Sequence, residues 1–497
     1  MELNFGYIEG LPEEELRNLA DLVRIYNDHK VKNEQKKRYY NGKIKLNEVN
    51  LGIALPNTLS RLEIGCSWGA KAVDVLAARS MFDGFVGNAG KSADAMQGIM
   101  RRNNLLTNYK KACKEELLYG NVYAAISGKE REARIRFYNP NCAAAKWDAA
   151  AGCIECGFVF DDGRLDEEDY AWSPDFVIYH TATDVWELDR SSGHWVAERT
   201  PHRFGRPLMV SMSWNATADK PFGQSRLKEP IRRLIQGYVR TIANATIGLE
   251  FSTSPQKYLL GVSDDQYDAL VNDRFKTYVG SILTSTANPD TGENPTFGQL
   301  QQGNISPHVE MLRMLSTQFS AATGLTVTDV GVVNDANPTS SEAILAQSQT
   351  LICLAEELNS GNGDALYIIG QMALAVEQGS DPDSLEEEDK EIIAHFKNPA
   401  MPSVATTADA AVKIASAREG FAQTDVFLEM LGFDQADIRR VKAQEARARG
   451  TNILKEEFAA NENIVEGVDG IRSKNVANQP GSGGTDKKLD TKERMRG

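Results

Sequence analysis

The sequence predicts an α+β fold, with helices on either side of a central block of strands and a helical C-terminal part. Three observations carry the prediction. Apolar residues recur at helical spacing over residues 12–36, 60–82 and 92–127. From about 132 to 212 the period changes to short alternating runs broken by turn residues. Past Phe222 the helical period returns in long stretches, with one turn-rich insert between them.

The first helix opens at Pro12, which suits a first turn, and Glu13, Glu14 and Glu15 favour the positive helix start. Leu16, Leu19, Leu22, Val23 and Tyr26 share one face, and Tyr39-Tyr40-Asn41-Gly42 reads as the stop. Trp68, Val73, Leu76 and Ala77 carry the second helical run, before the short apolar pair Phe85-Val86. The third run ends near Leu117-Leu118-Tyr119-Gly120. In the strand block, Ile135 and Phe137 alternate with charged residues, and Cys153 to Phe160 follows a turn. Phe176 to Tyr179 and Val185 to Leu188 are separated by a short turn, and Ser191-Ser192-Gly193 marks a further hairpin.

After Phe222-Gly223-Gln224-Ser225, an apolar stripe runs through Leu227, Ile231, Leu234, Ile235, Tyr238, Ile242 and Leu249. Arg232, Arg233, Gln236 and Arg240 lie largely off that stripe, and Pro230 either starts the helix or kinks it. Residues 253–306 form a mixed insert, with a strand over Pro255 to Leu260, a short helix over Asp264 to Arg274 and turns over Asn288 to Asn294. A shorter helix over Pro307 to Ala322 and a flexible stretch over Gly324 to Asn337 follow. Then Pro338 precedes Thr339-Ser340-Ser341-Glu342, a capping box in which Thr339 and Glu342 satisfy each other's free backbone N–H groups. The helix it opens reaches toward Gln378, with a kink or break at Gly361-Asn362-Gly363. Asp381 to Glu391 reads as a solvated helix start, and 406–448 as two or three amphipathic helices turning at Leu431-Gly432-Phe433. The Gly-, Ser-, Lys- and Asp-rich tail from about 473 has the composition of disorder.

A chain of 497 residues has room for about two to four folding units. With 41% hydrophobic and 25% charged residues it is globular, and its net charge of −14 disfavours blanket attraction to nucleic acid. No apolar run is long enough for a transmembrane helix, and the acidic N-terminus has no apolar signal core, so a cytoplasmic chain is expected. Six scattered cysteines do not make a disulfide scaffold at this length, and reduced thiols are expected.

The most suggestive chemical motif is Gly84 to Ser92, which resembles a phosphate-binding loop. Such a loop needs four residues between its first Gly and the Gly-Lys-Ser; Gly84 leaves five, and the required position holds Phe85. No apolar strand ending in a magnesium-holding Asp follows downstream. A plain strand–loop–helix is therefore expected over an ATPase. Cys153 and Cys156 have the spacing of a metal or redox pair but no second pair, and read as structural. The six histidines show no ligand spacing, and no serine-nucleophile elbow or two-metal carboxylate pattern is present. The most basic helical stretch holds Arg226, Lys228, Arg232, Arg233 and Arg240; a solvated or inter-subunit face is its plain reading, and contact with DNA phosphate the alternative.

The series of elements resembles the portal proteins of tailed bacteriophages, in the branch common among long-tailed phages, over roughly residues 10–450. Tyr39-Tyr40-x-Gly42, Trp68, Val73-Asp74 and Gly84-Phe85 resemble the family's opening. Leu118-Tyr119-Gly120-Asn121-Val122-Tyr123 resembles its helix-to-strand step. Gly193-His194-Trp195 and His202 to Pro207 resemble its wing strands, and Phe222-Gly223-Gln224-Ser225 resembles the approach to a stem helix. The strongest match is Ser320 to Leu325 with Pro338 to Ala343, which is similar to the segment that carries a tunnel loop into the long wing helix.

By that likeness, residues 1–223 are a mixed α/β wing, 224–252 a stem helix, 253–306 a small α/β clip and 307–323 the second stem helix. Residues 324–338 are the tunnel loop, 339–400 the long kinked wing helix and wing return, 401–450 a helical crown, and 451–497 an extension with a disordered tail. The resemblance implies a ring of twelve copies at one capsid vertex, a conduit for duplex DNA in packaging, head–tail attachment and ejection. Its implied partners are the terminase motor, the head–tail adaptor, and the major capsid and scaffolding proteins. The protein would be assembled in the bacterial host cytoplasm and end in the virion, with no membrane, cofactor, metal or catalytic residue. Channel candidates are Thr326, Val327, Thr328, Asp329, Val330, Asn334 and Asp335; the loop's two carboxylates and lack of Lys or Arg favour a weakly binding collar over a charged grip. Packing candidates between stem helices are Leu227, Ile231, Leu234, Tyr238 and Ile242, and the basic stem candidates are Arg232, Arg233 and Arg240. Twelve copies at −14 each carry roughly −170, which keeps binding wells for DNA shallow. Two other readings stand beside this one: a different structural head or adaptor protein, and a packaging ATPase or nuclease using segment 84–92.

Overall fold

The computed structural model describes residues 3–44, 64–87, 91–129, 131–161, 174–190, 193–253, 257–261, 292–299, 304–331, 341–400, 404–418, 420–434 and 437–452, with a few single residues of 262–291. Two units divide the chain, Met1–Met401 and Pro402–Gly497.

Helix α1 spans Glu13–Tyr40, with three acids in its first turn and Lys37 and Arg38 in its last, both matched to the helix dipole. It ends at Tyr40, within the expected stop Tyr39 to Gly42, and Tyr39 is a core residue. The run expected over 60–82 is α2, Trp68–Arg79. The helical run expected from 92 ends near Gly120 as read, but it is two helices, α3 (Lys91–Arg102) and α4 (Leu105–Tyr119), and strand β3 (Asn121–Lys129) follows. The break falls at Asn103-Asn104. Asn104 sits in left-handed backbone, while the Asn103 amide donates to Ile99 O and Ala133 O and accepts from Ile135 N. A side chain that serves three backbone groups ends one helix and anchors the neighbouring strand.

The strands form two main sheets. A six-stranded sheet has the order β1 (Ile8–Glu9), β9 (Trp195–Pro201), β8 (Asp184–Asp189), β7 (Phe176–His180), β6 (Cys153–Phe160), β5 (Ala143–Asp148). It is antiparallel apart from the β1–β9 pair. A three-stranded sheet places β3 between β10 (Met209–Ser213) and β4 (Glu132–Tyr138). Strand β3 is covered on both faces: Val122, Ala124 and Ile126 enter the main core, and Tyr123 and Ala125 meet the second sheet's Ala143, Ile154 and Val159. Helix α1 lays Leu19, Leu22 and Tyr26 on Phe158, Tyr179 and Leu188 of the six-stranded sheet. Each such buried side chain contributes about 1.5–3 kcal/mol. Cys153 and Cys156 are free thiols in β6; Cys156 lies beside Phe158 and Phe160, and burial pushes it up to about 11.

Helix α5 spans Glu229–Thr253, with Pro230 in its first turn, where a missing N–H leaves no bond unmade. It therefore starts later than the expected 224. Strands β11 (Lys257–Leu260) and β12 (Thr296–Gln299) pair antiparallel in the insert, and the helix expected over 264–274 lies outside the described residues, apart from Asp268. Helix α6 (Ser306–Thr323) packs against α5. Helix α7, Ser341–Gln378, runs through Gly361-Asn362-Gly363 without the break expected there, and the capping residues Pro338 to Ser340 lie outside the described residues. The acidic stretch holds the short helix α8 (Glu387–Lys390) and leads into β13 (Ile393–Phe396), which pairs antiparallel with β2 (Phe82–Val86). The second unit has α9 (Val404–Ala417), α10 (Asp425–Met430) and α11 (437–452), with Ala411 and Ile438 buried.

Asn362 is buried because it has work between helices. Its Nδ2 donates to Glu116 Oε2 at 2.8 Å and to Tyr109 Oη at 3.1 Å, tying α7 to α4. Burial pushes the Glu116 carboxyl up to about 8. The folded chain therefore keeps a proton that the unfolded chain releases near 4.5, and stability falls as pH rises between those two values. Glu116→Gln should remove that fall, which is on the order of 1 kcal/mol per pH unit. Unfolding curves from pH 5 to 8 check it: a wild-type slope that persists in the variant would contradict the assignment.

Candidate stem helices and channel loop

The two quoted motifs Leu118-Tyr119-Gly120 and Phe222-Gly223-Gln224-Ser225 meet backbone to backbone. A Cβ on Gly223 would come within 2.3 Å of Trp214 O, and one on Gly120 within 2.9 Å of Ser225 N, and both glycines have positive φ. Only glycine permits this crossing. It is closed by Gln224 N to Trp214 O, Trp214 N to Gly120 O and Arg226 N to Leu117 O, at 2.8–3.0 Å, and by Ser225 Oγ to Leu118 O at 2.6 Å. The start of α5 is thereby fixed to the end of α4.

Arg226 completes the junction. Its guanidinium is buried and donates to Ala72 O and Thr323 O, joining α2, α5 and the C-terminal end of α6. The sequence placed Arg226 in a basic surface stretch; it is an internal tie. Trp68 fills the adjoining space. Its ring lies 4.0 Å from Tyr238 and 4.6 Å from Phe319, one residue from each candidate stem helix.

The stripe on α5 divides in two. Leu227, Ile231, Ile235, Val239 and Ala243 are buried within the chain itself. Leu227 and Ile231 are covered by the main core of the chain itself. Leu234, Tyr238 and Ile242 are half-buried, and Leu249 is exposed. Of the basic residues, Arg233 is paired with Glu229 at 2.6 Å, Arg232 donates to Leu227 O, and Arg240 is exposed. Helix α6 leaves Val309, and on another side Met311 and Met314, exposed; none was a sequence candidate.

The loop after α6 begins as a compact turn. Asp329 accepts from Thr326 N at 3.1 Å and Thr326 Oγ1 at 2.7 Å, while Asp329 N donates back to Thr326. Val330 is a core residue, Thr328 is exposed, and Thr326, Val327 and Asp329 are half-buried. Asn334 and Asp335 lie outside the described residues. The Asp329 carboxylate is committed to its own turn.

Strand β2 leads to α3 through segment 84–92, of which 88–90 lie outside the described residues. Among the described residues its sheet partner is β13, in an antiparallel pair. A phosphate-binding loop stands instead at the end of a strand within a parallel sheet. Among the described residues, no three His, Cys, Asp or Glu side chains gather as a metal site, and no helix is long and apolar enough to cross a membrane.

The chain is thus an α+β body carrying two packed helices joined by an insert. Residues 20–451 match the family described as phage portal protein, SPP1 Gp6-like, and the chain belongs to that family. Three solved structures are similar. One, from the virion of a native gene transfer agent particle, has 13% identity, covers 74% of this chain and 89% of its own, and has a TM-score of 0.44. A second, from the neck of the native particle computed with C12 symmetry, has 13% identity, coverage of 74% and 89%, and a TM-score of 0.43. A third, from the neck of the empty particle computed with C6 symmetry, has 12% identity, coverage of 74% and 90%, and a TM-score of 0.45. A comparison with curated proteins finds no match.

Proposed function

We propose that this portal subunit assembles head to tail into a closed ring of twelve at one capsid vertex, and that duplex DNA enters and leaves the head through it. The observation that carries the reading is the α5–α6 pair with an insert between, in a chain matched to the portal family over residues 20–451. Helices α5 and α6 gather around the axis as the stem, and the insert is the clip, facing the terminase motor and later the adaptor. The body is the wing and the second unit the crown, where capsid and scaffolding proteins make their contacts. Assembly takes place in the host cytoplasm, and the ring ends in the virion.

Exposed apolar side chains support a missing neighbour. Val309, Met311 and Met314 on α6, Leu249 on α5, and Tyr258, Leu260 and Phe297 on the insert are all exposed in the single chain. A heterologous ring interface covers such faces once per subunit. The neighbour-facing residues of α5 are Leu234, Tyr238 and Ile242. Thr326, Val327 and Thr328, with Asn334 and Asp335, form the collar around the DNA, and steric closeness rather than charge centres the duplex.

The chain works as a structural conduit, and packaging energy comes from the motor. Purified protein imaged in negative stain should give rings with a central hole. Lys91→Ala should leave both ring yield and DNA packaging unchanged. A monomer that hydrolyses nucleoside triphosphates, with hydrolysis lost in Lys91→Ala, would overturn the proposal.

A further inference from the structure

A cavity of about 640 Å³ lies between α1, the β3 and β5 strands and the segment leading into α5. In a chain of net charge −14, its lining concentrates cations: Lys32, Lys36, Lys220, Lys228 and Arg232. Its carboxylate, Glu229, is already paired with Arg233 at 2.6 Å. Lys36 donates to Tyr119 O at 2.7 Å and Asn33 Oδ1 at 3.2 Å, which leaves one ammonium proton for the cavity. The same contact fixes which way the Asn33 amide points. Asn33 is 2% exposed, and its Nδ2 has no hydrogen-bond partner. Burial, with Arg232 and Lys32 as like-charged neighbours, pulls Lys36 down to about 8, so these cations crowd one another while the lining carboxylate, Glu229, is spent on Arg233.

We propose that this cavity binds a small phosphate-class oxyanion, held by the Lys36 ammonium and the Arg232 guanidinium, with Lys220 and Lys228 at its rim. An oxyanion supplies an acceptor for the remaining Lys36 proton and for the guanidinium N–H groups not spent on Leu227 O. Its oxygens suit the guanidinium fork, and its charge relieves the crowding. The volume falls in the range of small-ligand sites, so a phosphorylated metabolite fits as well as inorganic phosphate. This site is separate from the stem helices' outward faces and needs no neighbouring subunit.

The test uses the full chain, titrated with inorganic phosphate in low-salt buffer by calorimetry and by thermal unfolding. Saturable binding with a rise in melting temperature is expected. Lys36→Met and Arg232→Gln should each weaken it about ten- to hundredfold, the effect of losing one charge-assisted hydrogen bond. Should either core variant fail to fold, the exposed rim pair Lys220→Gln with Lys228→Gln still reads the site, with an expected several-fold loss. Adenosine monophosphate should compete with phosphate. Millimolar phosphate that gives neither heat nor stabilisation would overturn the proposal, as would variants that bind like the wild type. Binding of a short DNA duplex that depends on Lys36 and Arg232 while free phosphate is ignored would also overturn it, in favour of a nucleic-acid contact.

Discussion

Trp68→Ala should destabilise the first unit by about 3–5 kcal/mol, the cost of emptying a fully packed aromatic site. Trp68 is 4% exposed and stacks on Tyr238 of α5 and Phe319 of α6. It is also the first residue of α2, whose Ala72 carbonyl takes a hydrogen bond from Arg226. Removing the indole leaves a cavity where three helices converge, and Arg226 remains buried with its anchors loosened. Trp68→Phe, which keeps one ring in the stack, should recover a large part of the loss. Denaturant unfolding followed by circular dichroism measures both. A loss under about 1 kcal/mol for Trp68→Ala would mean that the junction is not a packed core site.

Met314→Asp should abolish ring assembly while leaving the subunit folded. Met314 is 47% exposed in the single chain, so an aspartate there costs the isolated subunit within about 1 kcal/mol, mostly through helix propensity. On the proposed ring, in which α6 faces the neighbouring copy, the same carboxylate is repeated at every interface. Its desolvation costs several kcal/mol at each contact, with no partner charge to offset it. Met314→Leu, similar in volume and still apolar, should assemble normally. Light scattering gives the mass and circular dichroism the fold. Full-sized rings from Met314→Asp would remove α6 from the interface.

Much of this architecture was legible because local signals were strong. Acids at 13–15 and the leucine spacing marked α1, Pro230 marked the start of α5, and the alternation around Ile135 and the run 153–160 marked β4 and β6. The failures share a physical cause: the deciding interaction lies far away in sequence. Strand β13 is a four-residue run whose partner, β2, is some three hundred residues earlier, and the acidic stretch before it masked its existence. Strand β10 is short and owes its place to β3. The Asn103-Asn104 break could have been read, since two asparagines after Arg101-Arg102 are a turn signal. The helical period of 92–127 outweighed it.

For the candidate site, the apolar stripe on α5 was visible, but periodicity does not tell an own-chain partner from a neighbouring copy. Leu227 and Ile231 are covered by the chain itself, and Met311 and Met314, with a weaker pattern, are the exposed pair. Arg226 read as one more surface cation, because only the fold brings Ala72 O and Thr323 O to it. The cationic cavity was invisible for the same reason: Lys36 and Arg232 come from α1 and α5, and neither belongs to a motif.

A reconstruction of the assembled particle by electron cryomicroscopy tests the central claim most directly, because it places α5 and α6 relative to the symmetry axis. Twelve copies are expected, with the α5–α6 pairs side by side around a channel wide enough for a double helix. A ring that carries these helices on its outer rim, or an assembly closed at the axis, would contradict it.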